Sequence, residues 1–199
     1  MHDFTELDAA LTDVGWAVVH EAIPRGLCVR LHDEAVAHRD AGRLRASATG
    51  RSDGRHATGL RGDATLWLDD PGCGEAAGAL VLALEQMKVA LNRRLTLGLD
   101  EVEAHFAHYP PGAGYARHLD RFRSDDARVL SLVLYLNDGW PEGAGGELRL
   151  YLPGGAHDIA PRMGTLVLFL SADVEHEVLP ATRPRFSVAA WFRQRPRPA

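Results

Sequence analysis

Lysine is almost missing from this chain: of 22 basic residues only Lys88 is a lysine, and the rest are arginine. We read that skew as the mark of a GC-rich genome rather than of a chemistry. Cysteine is scarce too. Two of them, Cys28 and Cys73, make neither a disulfide framework nor a thiolate zinc cluster. No apolar run reaches the ~18 residues that a membrane span needs. The opening "MHDFTELDAALTDVG" is acidic and has no apolar stretch of the signal-peptide kind. The expectation is therefore a cytoplasmic protein with no membrane partner. A formal charge of −5 argues against nucleic acid as a partner, because binders of it carry a basic face. What remains is an ordinary globular composition, 46% hydrophobic and 25% charged over 199 residues, enough for one domain with a sizeable core.

The first half reads as helical. "FTELDAALTDVG" has apolar residues at helical spacing and stops at a glycine. "IPRGLCVRLHDEAVAHRDAG" has proline near its start and glycine at its end, and "EAAGALVLALEQMKVALNRRLTLG" closes on Arg93 and Arg94 before Gly98. Between the second and third helices the Gly- and Asp-rich stretch from 47 to 74 reads as a mobile loop, a lid over a site. From residue 101 the texture changes to short apolar or alternating runs: "VEAHFAHY", "RVLSLVLYLN", "GELRLYL", "TLVLFLS", "HEVLPA" and "RFSVAAWF". Turn signals such as "PPGAG", "NDG" and "LPGG" separate them. That pattern predicts an antiparallel sandwich, jelly roll or barrel with the helices packed against it.

Two histidine–aspartate pairs share one spacing, His38–Asp40 and His118–Asp120. Residues i and i+2 face the same way on an extended strand and splay about 200° apart on a helix. His38 and Asp40 fall in the second helical segment, where the expected role is solvated face and cap. His118 and Asp120 follow the "PPGAG" turn and open the β block, where they can converge. His176, starting a later strand, offers a third ligand. Two histidines and a carboxylate on one side of an ion match the facial triad of non-haem Fe(II) oxygenases, whereas structural zinc prefers a closed tetrahedral shell. Trios of this kind also arise in β proteins without a metal. Arg185 opens the apolar strand "RFSVAAWF", and its planar fork suits a carboxylate in two parallel hydrogen bonds. An edge-strand surface arginine is the alternative.

Over residues 61–192 the chain resembles the prolyl 4-hydroxylases of the hypoxia-factor type, within the Fe(II)/2-oxoglutarate dioxygenases. The resemblance rests on "RGDATLW", "YPPGAGYARHLD", "RVLSLVLYLNDGW", "GGELRL" and "HEVLPATRPRFSVAAWF", in the family's order and near its spacing. The "PPGAG" turn is one residue shorter than in the animal enzymes, and the first sixty residues match only as generic helices.

The resemblance implies an α+β fold with a double-stranded β-helix (jelly roll) core and N-terminal helices packed against it. As one catalytic domain it would comprise a helical layer over 1–100, the core over 101–192 and a basic tail over 193–199. It implies His118, Asp120 and His176 as iron ligands, and Arg185 and Tyr135 as holders of the distal carboxylate of 2-oxoglutarate, with the Tyr109 hydroxyl reaching the same pocket. Tyr115 and Trp191 would line the place of a prolyl ring, and Arg128 would sit at the substrate mouth, paired with Asp63. Fe(II), 2-oxoglutarate and O2 would be required, with ascorbate as reductant. The substrate would be an exposed proline of a cytosolic protein, a translation factor such as elongation factor Tu, and the products would include succinate and CO2. His105 departs from the family, which places an apolar residue there. Two rival readings stay open: an oxygenase of a free amino acid or other small molecule, and a jelly-roll module that binds without turnover. An alkylated nucleobase is disfavoured by the acidic charge, despite the local cluster Arg117, Arg121, Arg123 and Arg128.

Overall fold

The computed structural model describes residues 5–47, 61–121 and 127–195. Part of the expected lid (48–60), Arg123 and the end of the tail (196–199) lie outside the described residues. Three helices and a set of strands follow in the order α1 (Thr5–Asp13), β1 (Trp16–His20), α2 (Arg25–Asp40), β2 (Arg45–Ala46), β3 (Ala64–Trp67) and α3 (Glu75–Leu95). Then come β4 (Leu99–Tyr109), β5 (Tyr115–His118), β6 (Arg128–Tyr135), β7 (Leu148–Leu152), β8 (Gly155–Ile159), β9 (Thr165–Leu170), β10 (Glu175–Val178) and β11 (Arg185–Gln194).

Among the described residues the strands form two sheets with every strand pair antiparallel: a major sheet in the order β1-β9-β6-β11-β4-β3-β2, and a minor one in the order β5-β10-β7-β8. Three corrections follow. The expected N-terminal helical layer contains β1, which pairs with β9 at the edge of the major sheet. The stretch read as one loop from 47 to 74 contains β3, which pairs with β4 from Ala64↔His108 to Trp67↔His105. The tail begins later than expected, since Arg193 and Gln194 still belong to β11.

The helices cover one face of the major sheet. On α3 the buried residues Ala76, Ala77, Leu80, Leu84, Met87 and Leu91 recur at helical spacing, so one stripe of the helix meets the sheet. Truncating such a leucine costs roughly 2–5 kcal/mol. The opposite face of the major sheet packs on the minor sheet through Val167 and Phe169 against Leu148, Leu150, Ile159 and Val178. Strands in the middle of the major sheet are thus buried on both faces, which explains their near-continuous apolar runs.

Alternation decides what each strand shows to which layer. Phe186, Val188, Ala190 and Phe192 of β11 lie in the helix-side core. Arg185, Ser187, Ala189 and Trp191 line a cavity between the sheets, together with His105, Ala107 and Tyr109 of β4. Two asparagines fix where these strands start. Asn92 donates to Leu99 O and accepts from Leu99 N at 2.7 Å each, and Asn137 accepts from Phe186 N (2.7 Å) and donates to Phe186 O (2.9 Å). Each side-chain amide takes the place of a neighbouring strand's backbone.

Candidate metal and acid site

His118 closes β5, Asp120 follows two residues on, and His176 of β10 is the direct cross-strand partner of His118. The imidazole centroids lie 4.2 Å apart. Each ring is oriented in the same way, its Nδ1 meeting the carbonyl two residues before it: His118 with Ala116 O at 2.7 Å, His176 with Val174 O at 3.1 Å. A carbonyl only accepts, so Nδ1 holds a hydrogen, and in the neutral ring Nε2 carries the lone pair that a metal needs. Those Nε2 atoms stand 3.6 Å from Asp120 Oδ1 and Oδ2 respectively. Burial alone would raise the Asp120 carboxyl, but positive charge on the His176 and His118 rings in their protonated form, together with the Ser131 hydroxyl, outweighs it and holds the group well below the ordinary carboxylate range. Burial pushes His176 down, offset in part by Asp120. One ionised carboxylate and two imidazole nitrogens within 4.8 Å of one another fit a divalent ion that keeps further positions open.

A second trio, Glu34, His38 and Cys73, is equally compact. There Arg43 Nη1 lies 3.2 Å from His38 Nδ1, and a guanidinium can only donate. Nδ1 therefore accepts and Nε2 keeps its hydrogen, facing Glu34 Oε1 at 3.6 Å. Glu34 is occupied at the N-terminus of α3, where it accepts from Gly74 N (2.6 Å) and Ala77 N (3.3 Å). The Cys73 thiol, pushed up to about 11 mainly by burial, faces Trp67 O at 3.3 Å. This trio is a junction that caps a helix. The expected solvated face is thus corrected at His38, which is 8% exposed because Arg43 and Glu34 enclose it. Asp40 is exposed and pairs with Arg39, so the two do not converge, as the helical geometry predicts.

At the other end of the cavity Arg185 is 1% exposed. Its Nε donates to Gly146 O (2.9 Å) and Nη1 to Ser187 Oγ (3.2 Å), and no carboxylate pairs with it among the described residues. Gly145 and Gly146 adopt φ of +74° and +79°, and a Cβ on Gly145 would run into the Pro180 carbonyl oxygen. The "AGG" turn is glycine because the chain must press there against Pro180 and Ala181 to present the Gly146 carbonyl. The guanidinium carbon lies 5.0 Å from the Tyr109 ring centre and 5.1 Å from that of Tyr135. The Tyr135 hydroxyl is buried with no hydrogen-bond partner among the described residues, and burial pushes it up to about 12. A buried cation and an orphaned hydroxyl donor side by side are costly unless an anion joins them. Ala107, Ser187 and Ala189 keep the wall between this corner and the histidines low.

The mouth differs from expectation in its pairings. Tyr115 stacks on His118 (3.6 Å, 17°), and Trp191 is lined by Arg128, whose guanidinium carbon is 3.7 Å from the ring centre. Arg128 does not pair with Asp63. It reaches Glu103 (2.7 Å), which lies beside Trp191 in the sheet register, while Asp63 is gripped in bidentate fashion by Arg61 two residues away (2.5 and 2.8 Å). Of the basic cluster, Arg117 is partnered by Glu175 and Arg128 by Glu103. His105 sits in the cavity wall, edge-on to Trp67 at 5.1 Å, and donates from Nδ1 to Phe106 O. His108 faces the helix side, stacked on Phe186, and His157 lies on exposed β8 beside Trp16. Reading the sequence missed Arg61, Glu103, Ser131 and Ser171. Only the Arg61–Asp63 spacing was a local signal.

The 2OG-Fe(II) oxygenase superfamily profile matches residues 104–193. Among solved structures the chain is similar to a Pseudomonas putida prolyl-4-hydroxylase, at 43% identity and a TM-score of 0.88, covering 98% of this chain and 100% of that one. It also matches a Trichoplax adhaerens prolyl hydroxylase, crystallised with a peptide fragment of the hypoxia-inducible-factor oxygen degradation domain, at 26% identity and a TM-score of 0.84, covering 94% and 87% of the two chains. The human protein Egl nine homolog 1 is 30% identical over 189 residues, which cover 89% of this chain and 43% of that protein. The chain therefore spans less than half the length of that relative. With the fold, the His-Asp-His cluster and these likenesses together, the chain belongs to the prolyl hydroxylase branch of the 2OG-Fe(II) oxygenases.

Proposed function

We propose that the protein is an Fe(II)- and 2-oxoglutarate-dependent dioxygenase that hydroxylates a prolyl residue of a cytosolic protein, with release of succinate and CO2. The observation that carries this reading is the pairing of two incomplete sites in one cavity. At one end two imidazoles and a carboxylate converge, and at the other the buried Arg185 lines the cavity with the orphaned Tyr135 hydroxyl close behind it. A short dianion with a metal-chelating head completes both.

His118, Asp120 and His176 would hold the iron, and the iron, with 2-oxoglutarate and O2, would supply the oxidant that converts a C–H bond to C–OH. Arg185 and Tyr135 would fix the distal carboxylate, with Tyr109 opposite Arg185 in the strand register closing the same corner. The protein's part is to exclude water and to place the substrate C–H bond. Tyr115 and Trp191 would enclose the prolyl ring, and Arg128 and Asp63 would shape the mouth through their own partners. Among the described residues the mouth carboxylates Asp63 and Glu103 are taken up by Arg61 and Arg128, so neither is offered to the ammonium of free proline. A prolyl residue within a chain, which carries no charge, suits it better. A translation factor such as elongation factor Tu is the substrate we would test first, with ascorbate as reductant.

Incubation with Fe(II), 2-oxoglutarate and ascorbate, and with either free proline or cytosolic proteins, tests this through succinate and hydroxyproline. Hydroxyproline should form in protein. Turnover of free proline alone would promote the small-molecule reading, and metal binding without any 2-oxoglutarate decarboxylation would leave only a binding module.

A further inference from the structure

Behind the metal-facing carboxylate runs a short chain of hydroxyls. Ser131 Oγ donates to Asp120 Oδ2 at 2.7 Å, and Ser131 Oγ lies 2.9 Å from Ser171 Oγ. Both serines are sealed off, at 1% and 0% exposed, and Ser131 lies between Phe169 and Trp191 in the sheet register. Buried hydroxyls in an apolar sheet are tolerated only when hydrogen-bonded. The direction of this chain is determined by its end. An ionised carboxylate can only accept, so the Ser131 hydrogen points at Asp120, and Ser131 can then only accept from Ser171. Ser171 also holds the backbone next to Asp120: its carbonyl accepts from Arg121 N (3.1 Å), and its own N–H is anchored on Val129 O (3.0 Å).

We infer that Ser131 and Ser171 are positioning residues for the metal. Their hydroxyl chain engages Asp120 Oδ2 and reserves Oδ1, so that Asp120 supplies one oxygen rather than two and the positions needed by 2-oxoglutarate and O2 stay open. The inference rests on the reading of His118, Asp120 and His176 as the iron site. It adds two residues, one in β6 and one just after β9, that touch neither metal nor substrate.

The test is anaerobic titration of the full chain with Mn(II), read by electron paramagnetic resonance, and with Co(II), read by its visible absorption. Ser131→Ala should weaken Mn(II) binding by roughly 10–100-fold, the usual effect of losing a partner that orients a ligand. The Co(II) bands of the saturated protein should change as the second oxygen joins the ion. Ser171→Ala should shift both readouts in the same direction by less, and Ser131→Thr, which keeps the hydroxyl, should restore them. Should Ser131→Ala not fold, the Ser171→Ala and Ser131→Thr pair carries the same comparison. Affinities within twofold of the parent and an unchanged Co(II) spectrum in both alanine variants would overturn the inference, as would Ser131→Thr behaving like an alanine. A parent protein that bound neither metal would sink the iron reading itself.

Discussion

His105 makes the interior of the cavity sensitive to acid in a calculable way. It is 3% exposed, and burial, with Arg61 adding to it, lowers its pKa from 6.5 to about 4. The folded protein thus keeps the ring neutral at pH values where the unfolded chain already binds a proton. Above pH 6.5 neither state is protonated and His105 adds no pH dependence. Between 6.5 and 4 the unfolded state gains the proton first, so stability falls as pH falls. At pH 4.5 a shift of this size is worth about 2.5 kcal/mol. The window stays above pH 3.8, the ordinary Asp value from which Asp120 is lowered. Urea unfolding of the metal-free protein and of His105→Met, at pH 7.5 and 4.5, isolates the effect, because contributions from other groups cancel in the difference. The parent should lose about 2.5 kcal/mol more than the variant on acidification. Equal losses would refute the claim that His105 is held neutral by burial.

Loss of the charged anchor in Arg185→Ala should weaken 2-oxoglutarate binding by roughly 2–5 kcal/mol, measured by calorimetry with a redox-inert metal in place of iron. His176→Ala should abolish iron-dependent succinate production while His38→Ala retains it, since only the first ring offers a bare Nε2; the opposite outcome would exchange the two trios. Glu34→Ala should remove the cap of α3 and lower unfolding free energy by about 1 kcal/mol, with iron-dependent turnover retained. Glu103→Gln should release Arg128 from the Trp191 face and raise KM for a proline peptide roughly two- to fivefold, equivalent to about 0.5–1 kcal/mol of cation–π contact. An unchanged KM would show that the stacked guanidinium does not shape the mouth.

Much of this architecture was legible because the apolar periods are strong. The helical spacing of α3 and the runs of β6, β9 and β11 state their own burial. Of the missed strands β1 carries a short apolar run between two helices, whereas β3 and β8 lack that signal. β3 is four residues in a Gly- and Asp-rich stretch and exists by pairing with β4, while β8 is exposed along most of its length and is held by β7. For the same reason His118 and Asp120 could be preferred to His38 and Asp40 as a converging pair, one pair being on a strand and its turn and the other on a helix, whereas His176 as third ligand rested on the family resemblance. Pairings across the sheet could not be found this way. Arg128 meets Glu103 because β6 and β4 flank β11, with Arg128 opposite Arg193 and Glu103 opposite Trp191, a fact of register that local spacing does not contain. Ser131 and Ser171 were hidden likewise, as small polar residues inside apolar runs.

The Asn137 clamp on Phe186 has a consequence for how this site tolerates change. On β11 the odd-numbered side chains build the cavity and the even-numbered ones build the core, so the chemistry of the strand is written as a parity. Asn137 sets that parity by holding both the N–H and the carbonyl of one residue. A slip of a single position would present Phe186, Val188, Ala190 and Phe192 to the cavity and drive Arg185 into the helix-side core. Substitutions within the strand alter the site one contact at a time. An insertion or deletion between Asn137's partner and Trp191 would instead exchange interior for exterior beyond that point, which makes frame, more than composition, the property that lineages of this chain must preserve here.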